Sequence, residues 1–238
     1  MLLSLLTVGC GKEEKLVFER RIFEGENCSQ CPVISVSIPL ALDNRKISEM
    51  VNDALKEEVI SLLTFDEDEQ PEDIPEAVSS FRKGFEKLQE EFPDETAPWE
   101  ARIEARVSFE NRGLISIALD SYIFTGGAHG YGATRFLNFE KKSGQELDNS
   151  QLFNNHRKFA EFAEIQFRSQ QNIPKDQAIN STGFMFERNE FYLPENIGFT
   201  EKGLKLLYNP YEVASYADGA IGLLLPYKDI RKFLVLKI

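Results

Sequence analysis

The stretch RIEARVSFENRGLISIALDSYIFTGGAHGYGATRFLNFE runs from Arg102 to Glu140. Its first part places Ile103, Ala105, Val107 and Phe109 at alternate positions, the period of a half-buried strand. Asn111-Arg112-Gly113 turns the chain, and Ile115, Ile117 and Leu119 alternate on the way back. A further strand pattern, TRFLNFE, follows a glycine-rich interruption. Successive strands joined by short connections imply an antiparallel sheet. With helical segments grouped between strand runs elsewhere, the class is α+β.

The interruption carries Gly126, Gly127, Gly130 and Gly132, with His129, one of only two histidines, among them. Two readings stand side by side. Gly126 and Gly127 could supply positive φ at a strand-end corner, with His129 making structural hydrogen bonds. Alternatively the segment, with Tyr131 at its end, is an exposed binding loop. It is not a phosphate loop, because the Lys-Ser/Thr after the glycines is missing and no helix pattern begins there. A catalytic His129 would need a partner within reach, and no Ser-His-Asp order with an elbow motif is present.

Outward from this hairpin, Ile34, Val36 and Ile38 alternate with Ser35 and Ser37 in one strand, and residues 15–23 read as another. Ile47, Val51, Leu55, Val59 and Leu62 form a helical stripe. From Asp66 to Glu76, seven of eleven residues are acidic. That reads as a solvated loop, since the glycine and terminal glutamate of an EF-hand are absent. Asp73 with Glu76 resembles a capping box, with Pro75 in the first turn of a helix that Pro93 ends. A further helix is expected over about 155–170. Strands are expected near 191–193, 197–199, 204–208 and 221–225, and a short helix from Asp229.

Bulk properties limit the partners. The net charge is −12, and no basic cluster offers the footprint a nucleic-acid binder needs. A basic protein partner is electrostatically allowed, because complementary charge steers encounter. Three cysteines are present. Cys10 follows the apolar run MLLSLLTVG and precedes charged residues, which resembles the lipidation site of a bacterial lipoprotein signal; a basic n-region is missing and Thr7 stands where leucine is usual. No other stretch approaches the ~20 apolar residues of a membrane span, so the expected anchor is this lipid alone. Cys28 and Cys31 form a CxxC. Zinc would need two more ligands, and a thioredoxin-type site would open a helix after a strand, whereas this motif precedes one. In an exported chain a local disulfide is the favoured reading. Tyr208, Tyr211, Tyr216 and Tyr227 either line a half-buried sheet face or present rings to a glycan or protein surface. Tyr211 and Tyr216 flank a tight segment and are the first of these to test.

Several separated motifs carry a resemblance. Thr125 to His129 (TGGAH), Leu137-Asn138-Phe139, Ser143-Gly144, Leu152-Phe153, Tyr208 to Glu212 (YNPYE), Tyr216 to Gly219 (YADG), Ile221 to Leu225 and Pro226-Tyr227 occur in the order seen in a family of bacterial extracytoplasmic domains. The match covers roughly residues 124–235, and about 30–120 is similar to the smaller domain that accompanies it. This pair of domains of unknown function is found beside peptidoglycan deacetylase domains, in anti-sigma factors that sense lysozyme, and in stand-alone lipoproteins. The two histidines cannot supply the deacetylases' H-x-x-x-H pair, and the stand-alone class fits best.

The resulting expectation is a lipid-anchored envelope protein, in the periplasm or on the outer membrane, with antiparallel sheets and helices packed on one face. It divides into residues 1–10 as signal segment, 11–120 as an N-terminal sub-domain and 121–238 as a C-terminal one carrying the TGGAH segment. It is expected to be a non-catalytic binding module for a peptidoglycan fragment or a basic protein, without cofactor or metal. The binding residues would be Gly126, Gly127, His129, Tyr131, Tyr211 and Tyr216. The alternatives are an accessory domain or enzyme acting on cell-wall polysaccharide, and a sensor or inhibitor of a basic lytic enzyme such as lysozyme.

Overall fold

A computed structural model describes residues 15–26, 28, 31–43, 45–66, 68–93 and 97–238. Cys10, the expected lipid attachment point, lies outside the described residues. The first sheet contains β1 (Phe18–Glu24), β2 (Val33–Ala41), β3 (Glu100–Glu110), β4 (Leu114–Phe124) and β5 (Tyr131–Glu140), side by side in that order. The second contains β6 (Asn196–Thr200), β7 (Gly203–Tyr208) and β8 (Ile221–Leu225). The helices are α1 (Lys46–Leu63), α2 (Ile74–Glu91), the short α3 (Asn149–Leu152), α4 (His156–Gln170) and the short α5 (Tyr227–Ile230). The α+β class and the two-part organisation are as the sequence implies.

All neighbouring strands pair antiparallel except β2 and β3, which run parallel. A parallel pair needs a long crossover, and α1 and α2 supply it. Their apolar stripes bury Ile47, Val51, Leu55 and Val59 from α1 and Ala77, Phe81 and Phe85 from α2 against one face of the sheet. Trp99, at the entrance to β3, is buried against Phe65, Phe81 and Phe85, with ring centroids 4.6, 5.2 and 5.9 Å away. Asp73 caps α2 by accepting from the Glu76 amide at 2.8 Å. The Glu76 carboxylate reaches back to the amide of Glu72, one residue before the cap. Cys28 and Cys31, between β1 and β2, form a disulfide with Cα atoms 5.2 Å apart.

β4 explains how the two parts join. Ile115, Ile117 and Leu119 face the helices, while Leu114 belongs to the second core and Ser116 meets β6. The strand is therefore buried on both faces through Leu119. The expected division after residue 120 falls inside β4, whose ladders to β3 and β5 tie residues on both sides of it into one sheet. The first sheet ends only at Glu140, so the TGGAH segment is the β4–β5 corner of the first sub-domain.

Contact between the sub-domains is dense and polar at its centre. The Ser116 hydroxyl donates to Asn138 Oδ1 at 2.7 Å and accepts from the Phe199 amide at 3.2 Å. Asn138 Nδ2 donates to the Ile197 carbonyl at 2.7 Å. A buried network of this kind fixes one arrangement, because each displaced group would lose its partner in a low-dielectric site. Gly198 lies against the Phe136 ring, where an added Cβ would stand 1.9 Å from Cδ1. The strand expected at 191–193 does not form. Phe191 there packs on Phe167 and Phe186 of the second core instead of joining a ladder.

Candidate functional site

The β4–β5 corner is built by its glycines for two different reasons. Gly126 and Gly127 adopt φ of +105° and +84°, where side chains are disfavoured, although a Cβ at either would meet nothing within 4 Å. At Gly130 the constraint is space, since a Cβ there would fall 2.5 Å from the tip of the Tyr122 ring and displace it. The corner thus presents His129 outward, exposed to solvent.

His129 does not stand alone. Its Nδ1 lies 3.1 Å from the Gly130 carbonyl, which can only accept, so Nδ1 carries the proton. Nε2 is then free to accept from the Tyr211 hydroxyl at 3.4 Å. The imidazole stacks on Tyr216, centroids 3.9 Å apart and planes 16° from parallel. The Tyr216 hydroxyl donates to the Gly130 carbonyl at 2.8 Å, and the Tyr211 ring lies 5.5 Å from that of Tyr216. Tyr131 donates to the Pro210 carbonyl at 3.3 Å. The structure therefore brings together four of the six residues singled out from sequence, His129, Tyr131, Tyr211 and Tyr216. Gly126 and Gly127 shape the corner behind them.

Two devices hold the second sub-domain's contribution in place. The Asn209 side chain accepts from the Thr134 amide at 2.9 Å and donates to its carbonyl at 3.0 Å, satisfying that residue on the free edge of β5. Such cover also keeps an open strand edge from pairing with another chain. Ser215 and Asp218 form a capping box around the 3-10 turn that carries Tyr216. Tyr211 has φ of +73°, a left-handed conformation that is unusual for a bulky residue, and is 58% exposed. Strain of this kind persists where the surroundings over-determine it.

A cleft of about 590 Å³ runs from this aromatic ledge along β5, between α1 and the segments flanking the second sheet. Tyr131 lines it, as do Glu58, Arg135, Glu146, Glu195 and Glu212. Arg135 Nε pairs with Glu58 at 3.0 Å. Burial pushes the carboxyls of Glu58 and Glu146 above the usual carboxylate range, with Arg135 opposing the rise. Burial also raises that of Glu212, against the hydrogen bond from the Asn209 backbone. Sequence reasoning missed Asn209, Glu212 and Arg135. The YNPYE motif held the first two in view, but nothing local showed which surface they would face.

The chemistry available to His129 is that of a fixed aromatic surface. Its partners are a carbonyl and a phenol, with no carboxylate among them to orient a general base. Among the described residues, no group of three or more His, Cys, Asp or Glu side chains is placed to hold a metal ion. Among those residues, too, no helix is long and apolar enough to cross a membrane.

Comparison with known proteins follows the two sub-domains. Residues 26–131 match the family model described as Deacetylase PdaC, and residues 150–228 match that described as Protein of unknown function (DUF3298). The two matches lie one after the other along the chain, the first over the first sheet and its helices and the second over the second sub-domain. The PdaC match reaches Tyr131 and so includes the TGGAH corner, while Tyr211 and Tyr216 lie in the stretch similar to DUF3298. The ledge is thus composed from both. The fold is similar to that of a DUF3298 family protein from Pseudomonas aeruginosa PAO1, at 21% identity and a TM-score of 0.66 over 93% of this chain and 95% of that one. It is also similar to a DUF3298 family member from Bacteroides fragilis NCTC 9343, at 18% identity and a TM-score of 0.66 over 95% of each chain. At these identities the likeness concerns the fold. Among curated proteins, none matches the chain.

Proposed function

We propose that this chain is a non-catalytic binding module of the bacterial cell envelope, held there by a lipid on Cys10, whose ledge contacts cell-wall glycan. The observation that carries this reading is the exposed His129–Tyr216–Tyr211 assembly, composed from two domains and including a tyrosine held at positive φ. Flat rings with polar tips suit sugar faces, which offer C–H surfaces ringed by hydroxyls. The PdaC name, given to a deacetylase family, supports a cell-wall setting.

Co-sedimentation with purified peptidoglycan sacculi tests it. The wild-type chain should be retained, and Tyr211→Ala or His129→Ala should lose retention with a nearly unchanged melting temperature. A basic protein is the competing ligand, favoured by the net charge of −12. Capture of lysozyme in a parallel pull-down, with no retention on sacculi, would reassign the ledge to a protein partner.

A further inference from the structure

The cleft behind the ledge narrows the chemistry of the ligand. It is continuous with the ledge through Tyr131, which is 43% exposed and lines its wall, and through Glu212, the neighbour of Tyr211. Its volume, about 590 Å³, is in the range of sites for one or two sugar units and too small for a folded protein. Its charge is one-sided. Carboxylates enter from α1 (Glu58), from the segment after β5 (Glu146, Asp148) and from the second sub-domain (Glu195, Glu212). Arg135 is the cation in the lining, and it is engaged by Glu58.

We propose that ledge and cleft together bind a cationic glycan, a strand whose amino-sugar units carry free ammonium groups rather than acetamido groups. The inference rests on the reading of the ledge as a glycan contact and adds the charge state of the sugar. Sugar rings lie on Tyr211 and Tyr131, and ammonium groups meet the carboxylates along the cleft wall, at Glu195 and Glu212 beside the ledge and at Glu146 near Arg135. Charge complementarity decides between sugar types. A neutral acetamido sugar would bury these carboxylates further with nothing to offset their lost hydration, whereas an ammonium donates to them directly. The overall negative charge also steers a cationic strand toward the site.

The test uses the whole chain and defined oligosaccharides: a glucosamine hexamer, the fully N-acetylated hexamer, and hexalysine as a charge control. Titration calorimetry at neutral pH should show the glucosamine hexamer binding about tenfold or more tighter than the acetylated one, a difference of about 1.4 kcal/mol. That preference should disappear in the double variant Glu146→Gln/Glu212→Gln, whose melting curve confirms the fold, with weaker binding of the glucosamine hexamer and no loss of affinity for the acetylated one, whose desolvation penalty the substitutions relieve. Equal or tighter binding of the acetylated hexamer to the wild type would overturn the inference and leave the ledge reading standing. Binding of neither hexamer would overturn both. Hexalysine binding as tightly as the glucosamine hexamer would also overturn it, since charge alone would then suffice.

Discussion

Gly126 and Gly127 have open space around them but backbone angles that resist a side chain. Substitution there acts through conformation alone. Gly126→Ala and Gly127→Ala should each lower stability by about 1 kcal/mol or more, read by thermal or urea denaturation. His129 behaves differently. A residue making buried hydrogen bonds inside a corner would cost stability when truncated, but His129 is exposed, and water can replace its bonds to Gly130 and Tyr211 when the ring is removed. His129→Ala should therefore change stability by about 0.5 kcal/mol or less, as at an ordinary surface site. The glycines hold the positive φ of the corner reading, and the histidine makes its hydrogen bonds from an exposed position. The close approach at Gly130 was not legible, because the Tyr122 ring that fills its space comes from the facing strand.

At the scale of elements, local periodicity located what local periodicity can. The stripe from Ile47 to Leu62 falls within α1, and the alternation at Ile34, Val36 and Ile38 falls within β2. Pairing partners were not legible, since the parallel ladder of β2 with β3 joins residues 67 positions apart, as Val33 with Glu100. The same holds for the ledge. Its residues were readable as candidates, but the meeting of His129 with Tyr211 spans 82 positions and depends on how β6 docks. That docking can be tested at Gly198. Gly198→Ala pushes a methyl into the Phe136 ring, and overpacking of this kind costs about 1–3 kcal/mol. The expected signature is a lower melting temperature together with weakened glycan retention, because the ledge depends on the register between sub-domains. A destabilised Gly198→Ala with intact retention would show that the ledge does not need that register. The Cys28–Cys31 bridge should matter less. It closes a loop far shorter than the 15 residues for which about 3 kcal/mol is expected, so its reduction should shift denaturation only slightly.

For the whole molecule, the raised carboxyls of the cleft set a pH dependence. Burial lifts Glu146 and Glu212 above their unfolded values, so the folded chain holds their protons more tightly than the unfolded one. Their contribution to stability therefore falls as pH rises through the raised values. The Glu146→Gln/Glu212→Gln chain should be more stable than wild type at neutral pH, and the difference should vanish below the ordinary carboxylate range. Melting curves across that interval check the sign. Anchoring is a separate matter. Cys10→Ala should release the protein from membranes on cell fractionation, and continued membrane association would count against the lipid. The central claim is that one binding surface is composed from both domains, and NMR titration of the intact chain with a soluble muropeptide tests it most directly. The account predicts shift changes at His129 and Tyr131 of the first sheet and at Tyr211 and Tyr216 beyond the second domain's β7, moving together along one saturation curve. Shifts confined to one sub-domain away from these residues, or none at millimolar ligand, would contradict it.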